Sequence, residues 1–234
     1  MRAMIVLSLA SLMACGGGNG GNGNNGGGNN GSPQRGPGEF SKDDMGVAAD
    51  LAPSPDLAPP PPAAYPKGPY GNLKGKTLPN LALAGYRLTP AQTDSTKLTW
   101  DKTIRLSDYY NNPKCACMII TIGATWCGNC QVEQGDLIND VQQDPNFCVL
   151  GILDEGTQQQ TPAIKTDVDD WTTMFNQNFT VALGTDQTQS LFNGYGDANG
   201  IIGLPFTLIV DPKTMKVTGN VQGYDPNIHT TACP

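Results

Sequence analysis

From about Tyr70 onward the sequence predicts one α/β domain, a layered sandwich built around a mixed β-sheet. Three observations predict it. Composition breaks near Tyr70: 14 of the 29 Gly and 10 of the 19 Pro of the 234-residue chain crowd into the 69 residues before it, leaving about one ordinary domain of foldable sequence. Residues 118–123 form an apolar, β-branched run of the kind a sheet buries on both faces. The segments then alternate strand, helix, strand, then helix, then a strand pair, an order that puts helices against a mixed sheet.

Taken in order, residues 78–83 and 103–106 read as short strands, and Ser107 as the cap of a turn at 108–110. The run 118–123 reads as the central strand. A helix follows over 131–141, with Val132, Leu137, Ile138 and Val141 as its apolar positions. Residues 147–153 read as a second buried strand. Val168, Trp171, Phe175 and Phe179 stand near helical spacing and predict a helix over 167–178. A short helix is expected over 187–195, a third strand over 206–210 and a fourth, with partial alternation, over 216–224.

The part before Tyr70 is of another kind. Arg2 supplies a short basic start, and residues 4–13 are apolar apart from two serines, too few to span a bilayer. The run ends Leu12-Met13-Ala14-Cys15, which resembles the bacterial lipobox, so residues 1–14 are expected to be a cleaved signal and Cys15 to carry lipid. By resemblance to Gram-negative lipoproteins, Gly16 in place of Asp implies the outer membrane, facing the periplasm. Residues 15–69 would then be a linker, Gly/Asn-rich to about 38 and Pro-rich after it, without apolar side chains enough to form a core. Residues 70–234 are the folded domain, expected to be a monomer.

A formal net charge of −7 excludes the basic footprint that nucleic acid requires. Seven cysteines make an odd count, and lipidation of Cys15 leaves six that can pair fully in an oxidising compartment.

Cys127 and Cys130 form a C-x-x-C at the junction of the central strand and its helix. Unpaired backbone N–H groups and the helix dipole at that junction stabilise a thiolate. Cys127 is therefore expected to be the exposed attacking thiolate. Cys130, one turn on, is the resolving thiol, and Trp126 flanks the pair as an apolar surface for client proteins.

The segment Ala124-Thr125-Trp126-Cys127-Gly128-Asn129-Cys130-Gln131-Val132-Glu133 resembles the active site of the TlpA/ResA group of thioredoxin-like proteins. The resemblance continues through 75–83 and 103–110, which are similar to the group's N-terminal β extension, and through Gly203-Leu204-Pro205-Phe206-Thr207-Leu208-Ile209-Val210-Asp211. It implies a thioredoxin-like sandwich and an extracytoplasmic, membrane-tethered thiol–disulfide oxidoreductase without cofactor or metal. Its partners would be client proteins bearing thiols or disulfides, and an upstream thiol donor or acceptor of electrons. Pro205 matches the family's cis proline, whose geometry exposes the backbone of Leu204 for pairing with a client strand. Glu133 matches the glutamate that tunes the thiols. Thr121 stands where many thioredoxins carry a buried aspartate, so that proton route is absent. Asn129 replaces the usual proline and Gln134-Gly135 depart from the family pattern. The dipeptide between the cysteines helps set redox poise, so the direction of exchange stays open.

Cys115, Cys117, Cys148 and Cys233 are expected to form two structural disulfides at the non-catalytic end, one joining Cys148 and one joining Cys233 to the Cys115/Cys117 pair. Four cysteines allow three connectivities, and the pairing is open. A second relay through Cys115-Ala116-Cys117 is the sharper alternative. Three rival functions compete with this reading. A peroxiredoxin-like peroxidase needs an activating Arg, yet no Arg follows Arg105. A metal module using Cys115, Cys117, Cys127 and Cys130 is opposed by the strand that separates the pairs. His229, the only histidine, reads as an exposed tail residue. In the last rival, the C-x-x-C is only a staple in a non-catalytic domain.

Overall fold

The computed structural model describes residues 64–87, 99–198 and 200–234. The expected signal, Cys15 and the expected linker up to residue 63 lie outside the described residues. All described residues belong to the second of two compact units, Pro59–Pro234. Packing reaches back to Tyr65, ahead of the composition break. Its hydroxyl donates to the Leu78 carbonyl at 3.0 Å and its ring meets Tyr110 edge-on, centroids 5.8 Å apart.

Seven strands form one sheet: β1 (Ala82–Tyr86), β2 (Trp100–Arg105), β3 (Cys117–Ala124), β4 (Phe147–Glu155), β5 (Thr180–Leu183), β6 (Phe206–Asp211) and β7 (Lys216–Gln222). The helices are α1 (Gly128–Gln143), α2 (Lys165–Met174), α3 (Asp186–Gln189) and α4 (Ile228–Ala232). The strand order is β2-β1-β5-β4-β3-β6-β7. β3, β4 and β5 run parallel. β6 and β7 return antiparallel on one side, and β1 and β2 on the other. A β3-α1-β4 crossover beside an antiparallel β6-β7 pair is a thioredoxin-like arrangement, with β1 and β2 added at one edge.

β3 is an interior strand, between β4 and β6, and is buried on both faces, which is why its sequence is almost continuously apolar. Alternation still sorts it. Cys117 and Ile119 join one core cluster with Leu137 and Val141 of α1 and Trp171 of α2. Met118, Ile120 and Ile122 join the other, with Leu78, Leu106 and Leu191. Thr121 and Gly123 share the parity of Cys117, so they face α1.

Several boundaries differ from the sequence expectation. The strand expected over 78–83 begins only at Ala82, since Pro79 has no N–H to give a ladder; Leu78 instead donates to the Met215 carbonyl at 2.9 Å. Ser107 is not a cap. It lies inside a 3-10 turn, Leu106–Asp108, and the Asp108 carboxylate closes that turn by accepting from the Arg105 N–H at 2.7 Å. The helix expected over 187–195 shortens to α3 followed by turns. β5 and α4, at 4 and 5 residues, are too short to show a period and went unpredicted. At Gly85 the β1–β5 pairing demands glycine: an added Cβ would stand 2.1 Å from the Val181 carbonyl oxygen. No helix among the described residues is long and apolar enough to cross a membrane.

Candidate active site

β3 ends at Ala124, and the chain turns through Thr125 and Trp126 into α1. Cys127 is the N-cap of that helix, and its Sγ accepts the Cys130 backbone N–H at 3.1 Å. The two cysteines are joined in a disulfide, with Cα atoms 5.2 Å apart. This pair therefore sits where the helix's unsatisfied N–H groups converge. Cys127 was expected to be exposed, yet it is only 5 % exposed, because the bond to Cys130 draws its sulfur in over the first helical turn.

The buried stripe of α1 is Cys130, Glu133, Gln134, Leu137 and Val141, a helical face at spacings of three and four. Val132, one of the helix's apolar positions in the sequence, falls off that stripe and is 53 % exposed. Glu133 lies one turn beyond Cys130 on the stripe and is 2 % exposed. Its carboxylate accepts a hydrogen bond from the Thr121 hydroxyl at 2.6 Å and from the Thr207 hydroxyl at 3.5 Å. Burial pushes its pKa up from 4.5 to about 7, with smaller upward contributions from Asp225 and Asp136; the two hydroxyls oppose the shift. A buried carboxyl titrating near neutrality can both take and give a proton.

Cys130 and Glu133 share a small cavity of about 10 Å³ with Thr121, Gly123, Gln134 and Trp171, a volume that holds about one water. Gly123 lets Cys130 come this close: a Cβ there would lie 3.2 Å from both Cβ and Sγ of Cys130. Gly123 was not among the sequence-predicted site residues, and Gln134 entered only as a departure from the family pattern. Sequence reasoning took Thr121 only as the loss of an aspartate, whereas the structure makes Thr121 a hydrogen-bond donor to the Glu133 carboxylate. The signal was the parity of 121 and 123, which becomes meaningful only once α1 is known to cover that face.

Trp126 is 36 % exposed beside the pair, and its indole N–H donates to the Glu155 carboxylate at 2.7 Å. The Leu204–Pro205 peptide is cis. Phe206 is paired with Ile122, so Pro205 stands at the end of β3 from which Cys127 departs. Leu204 packs against the cluster containing Cys127 and Cys130.

The other four cysteines lie at the opposite pole. Cys115 pairs with Cys148, and Cys117 with Cys233. His229 is not an exposed tail residue. It belongs to α4, its ring lies 4.7 Å from that of Phe147, and its Nε2 is 3.2 Å from Asp144 Oδ2. The aromatic ring gives the imidazole an apolar surface to cover, which draws it in from solvent.

The fold thus defines a thioredoxin-like domain with a cysteine pair at the N-terminus of its first core helix. No protein-family model and no curated protein matches the chain. Among solved structures it is similar to a thiol:disulfide interchange protein of the thioredoxin family from Chlorobium tepidum, at 21 % identity over 68 % of this chain and 100 % of that one, TM-score 0.44. It is also similar to the pneumococcal exposed lipoprotein thioredoxin Etrx1 of Streptococcus pneumoniae, at 21 % identity over 65 % and 97 %, TM-score 0.43. A third is AhpC of Enterococcus faecalis, at 12 % identity over 69 % and 90 %, TM-score 0.47. These similarities are distant. The fold is thioredoxin-like by its own strand order, and the chemistry of the site follows from its own residues.

Proposed function

We propose that this protein is a thiol–disulfide oxidoreductase that exchanges disulfides with client proteins through Cys127 and Cys130. The observation that carries the reading is the arrangement on α1: a C-x-x-C pair at its N-terminus, with a buried carboxyl of near-neutral pKa on the same face. In the reducing direction, the Cys127 thiolate attacks a client disulfide, and one client sulfur leaves as a thiolate. Cys130 then gives its proton to the Glu133 carboxylate, and its sulfur attacks Cys127 Sγ. The second client thiolate departs, and the domain is left with the Cys127–Cys130 disulfide. Oxidation of a client dithiol is the same sequence reversed. Trp126 and Leu204 supply apolar contacts for the client chain, and Pro205 shapes the backbone beside the pair.

The proposal includes the setting. The apolar start of the chain, the Leu12-Met13-Ala14-Cys15 ending and the Gly- and Pro-rich stretch after it support a lipid-anchored, extracytoplasmic protein held off a bacterial membrane by a tether. The clients and an upstream thiol partner would be met there.

Two measurements test the chemistry. The purified chain should catalyse insulin disulfide reduction by dithiothreitol, and Cys127→Ser should abolish that activity. Cys130→Ser should accumulate a dithiothreitol-sensitive mixed disulfide at Cys127, because nothing remains to resolve it. A Cys127–Cys130 bond that dithiothreitol cannot open in the folded chain would make the pair a staple and sink the reading. The reduction potential then sets direction: near about −270 mV it indicates a reductant, near about −120 mV an oxidant.

A further inference from the structure

The pole opposite the exchange site holds a second convergence of donors. Cys117 opens β3, Cys233 follows α4, and Asp144 caps the C-terminus of α1. One ligand atom from each, two sulfurs and a carboxylate oxygen, all lie within 4.8 Å of one another. The Asp144 carboxylate is held in place on both oxygens. Oδ1 accepts the Asn146 N–H at 2.9 Å, and Oδ2 lies 3.2 Å from His229 Nε2. Among the described residues this is the one such cluster of Cys, His, Asp and Glu that could hold a metal ion.

We propose that reduction of the Cys117–Cys233 disulfide converts this cluster into a zinc site, with Cys117, Cys233 and Asp144 as ligands. A dithiol supplies two electrons and two protons: it becomes a disulfide, and Cys117 and Cys233 become thiols. Zinc then displaces both thiol protons, forming two Zn–S bonds and one bond to Asp144. Bonded sulfurs stand about 2.0 Å apart, while two thiolates on a tetrahedral zinc stand about 3.7 Å apart, given Zn–S bonds of about 2.3 Å. The sulfurs thus separate by less than about 2 Å, which side-chain rotation can supply. Cys233 and Asp144 are partly exposed, so solvent reaches the fourth position. His229 stands behind the carboxylate as the outer partner that orients a ligand. The oxygen donor argues for zinc over Cu(I), which two soft thiolates would satisfy. The ion replaces the disulfide as the link between α4 and β3, so the C-terminus has two interchangeable closures.

The test uses the full chain carrying Cys127→Ser and Cys130→Ser, so that the exchange pair cannot bind metal. The oxidised and phosphine-reduced forms are titrated with zinc against a chromophoric chelator. Expected are one zinc per reduced chain and none in the oxidised form. Asp144→Asn, which keeps both disulfides and folds oxidised, should weaken zinc at least tenfold when reduced while leaving Cu(I) uptake unchanged. Zinc should also protect the reduced C-terminus from carboxypeptidase. Equal uptake by oxidised and reduced chains would overturn the proposal. So would zinc binding that is indifferent to both Cys233→Ser and Asp144→Asn, since the metal would then sit on other cysteines.

Discussion

On the proposed function, the two ends of β3 use the same bond for opposite purposes. At one end Cys127 and Cys130 are 3 residues apart, at a helix N-terminus, with a buried carboxyl and a small cavity behind them. At the other, Cys115–Cys148 and Cys117–Cys233 close 33 and 116 residues, and tie β3 to β4 and to the C-terminal helix. Loop-closure entropy grows with the length enclosed. On the chain-entropy model the longer links contribute about 4 and about 5 kcal/mol, and the short one under about 2 kcal/mol. A bond that contributes little stability can be opened and closed without unfolding what surrounds it. The difference is one of surroundings, not of sulfur chemistry.

The largest expected effect breaks the structural end alone. Replacing Cys117 and Cys233 together by Ser should lower unfolding stability by up to about 5 kcal/mol, read from denaturant midpoints, with exchange at Cys127 retained in the folded fraction. Loss of exchange in a chain that remains folded would erase the division between the two ends.

Glu133 sharpens the proposed exchange end through pH. Its pKa is about 4.5 unfolded and about 7 folded, so over that window the folded chain keeps a proton that the unfolded chain releases. Stability is therefore greatest at or below pH 4.5 as far as this group is concerned. It falls by about 3 kcal/mol as pH rises to 7 and is level above. Glu133→Gln should remove that slope in urea midpoints taken from pH 4.5 to 8. It should also remove the inflection near pH 7 in the exchange rate, slowing resolution by about 100-fold. An unchanged slope would show that Glu133 is not the group that titrates.

Gly123→Ala is the smallest change. The new methyl would press on Cys130 at 3.2 Å, an overpacking cost of about 1–3 kcal/mol. The reduction potential of the pair should shift with it, because the crowded sulfur sits differently in its two redox states. A loss of stability with no change in potential would make Gly123 a packing residue only.

Much of the molecule was legible in one dimension. The central strand, α1, the C-x-x-C at their junction, the candidate carboxyl at 133 and the proline before β6 are all local patterns, carried by apolar runs, spacing and turn chemistry. Segments of 4 or 5 residues, such as β5 and α4, carry no period to read. Ser107 misled because capping preference is weak beside the turn that Asp108 closes.

By itself, then, the sequence determined the fold class, the position of the C-x-x-C pair on a helix N-terminus and the presence of four further cysteines able to pair. Tertiary structure alone decided which of those pair. Cys148 lies in register with Met118, not Cys117, and neighbours in register point to the same face of a sheet. Cys117 therefore faces away from Cys148 and toward α4, where Cys233 waits, while Cys148 is left to Cys115. The same parity turns Thr121 and Gly123 toward Glu133 and Cys130. Register between strands is a long-range property set by the packing of both faces at once.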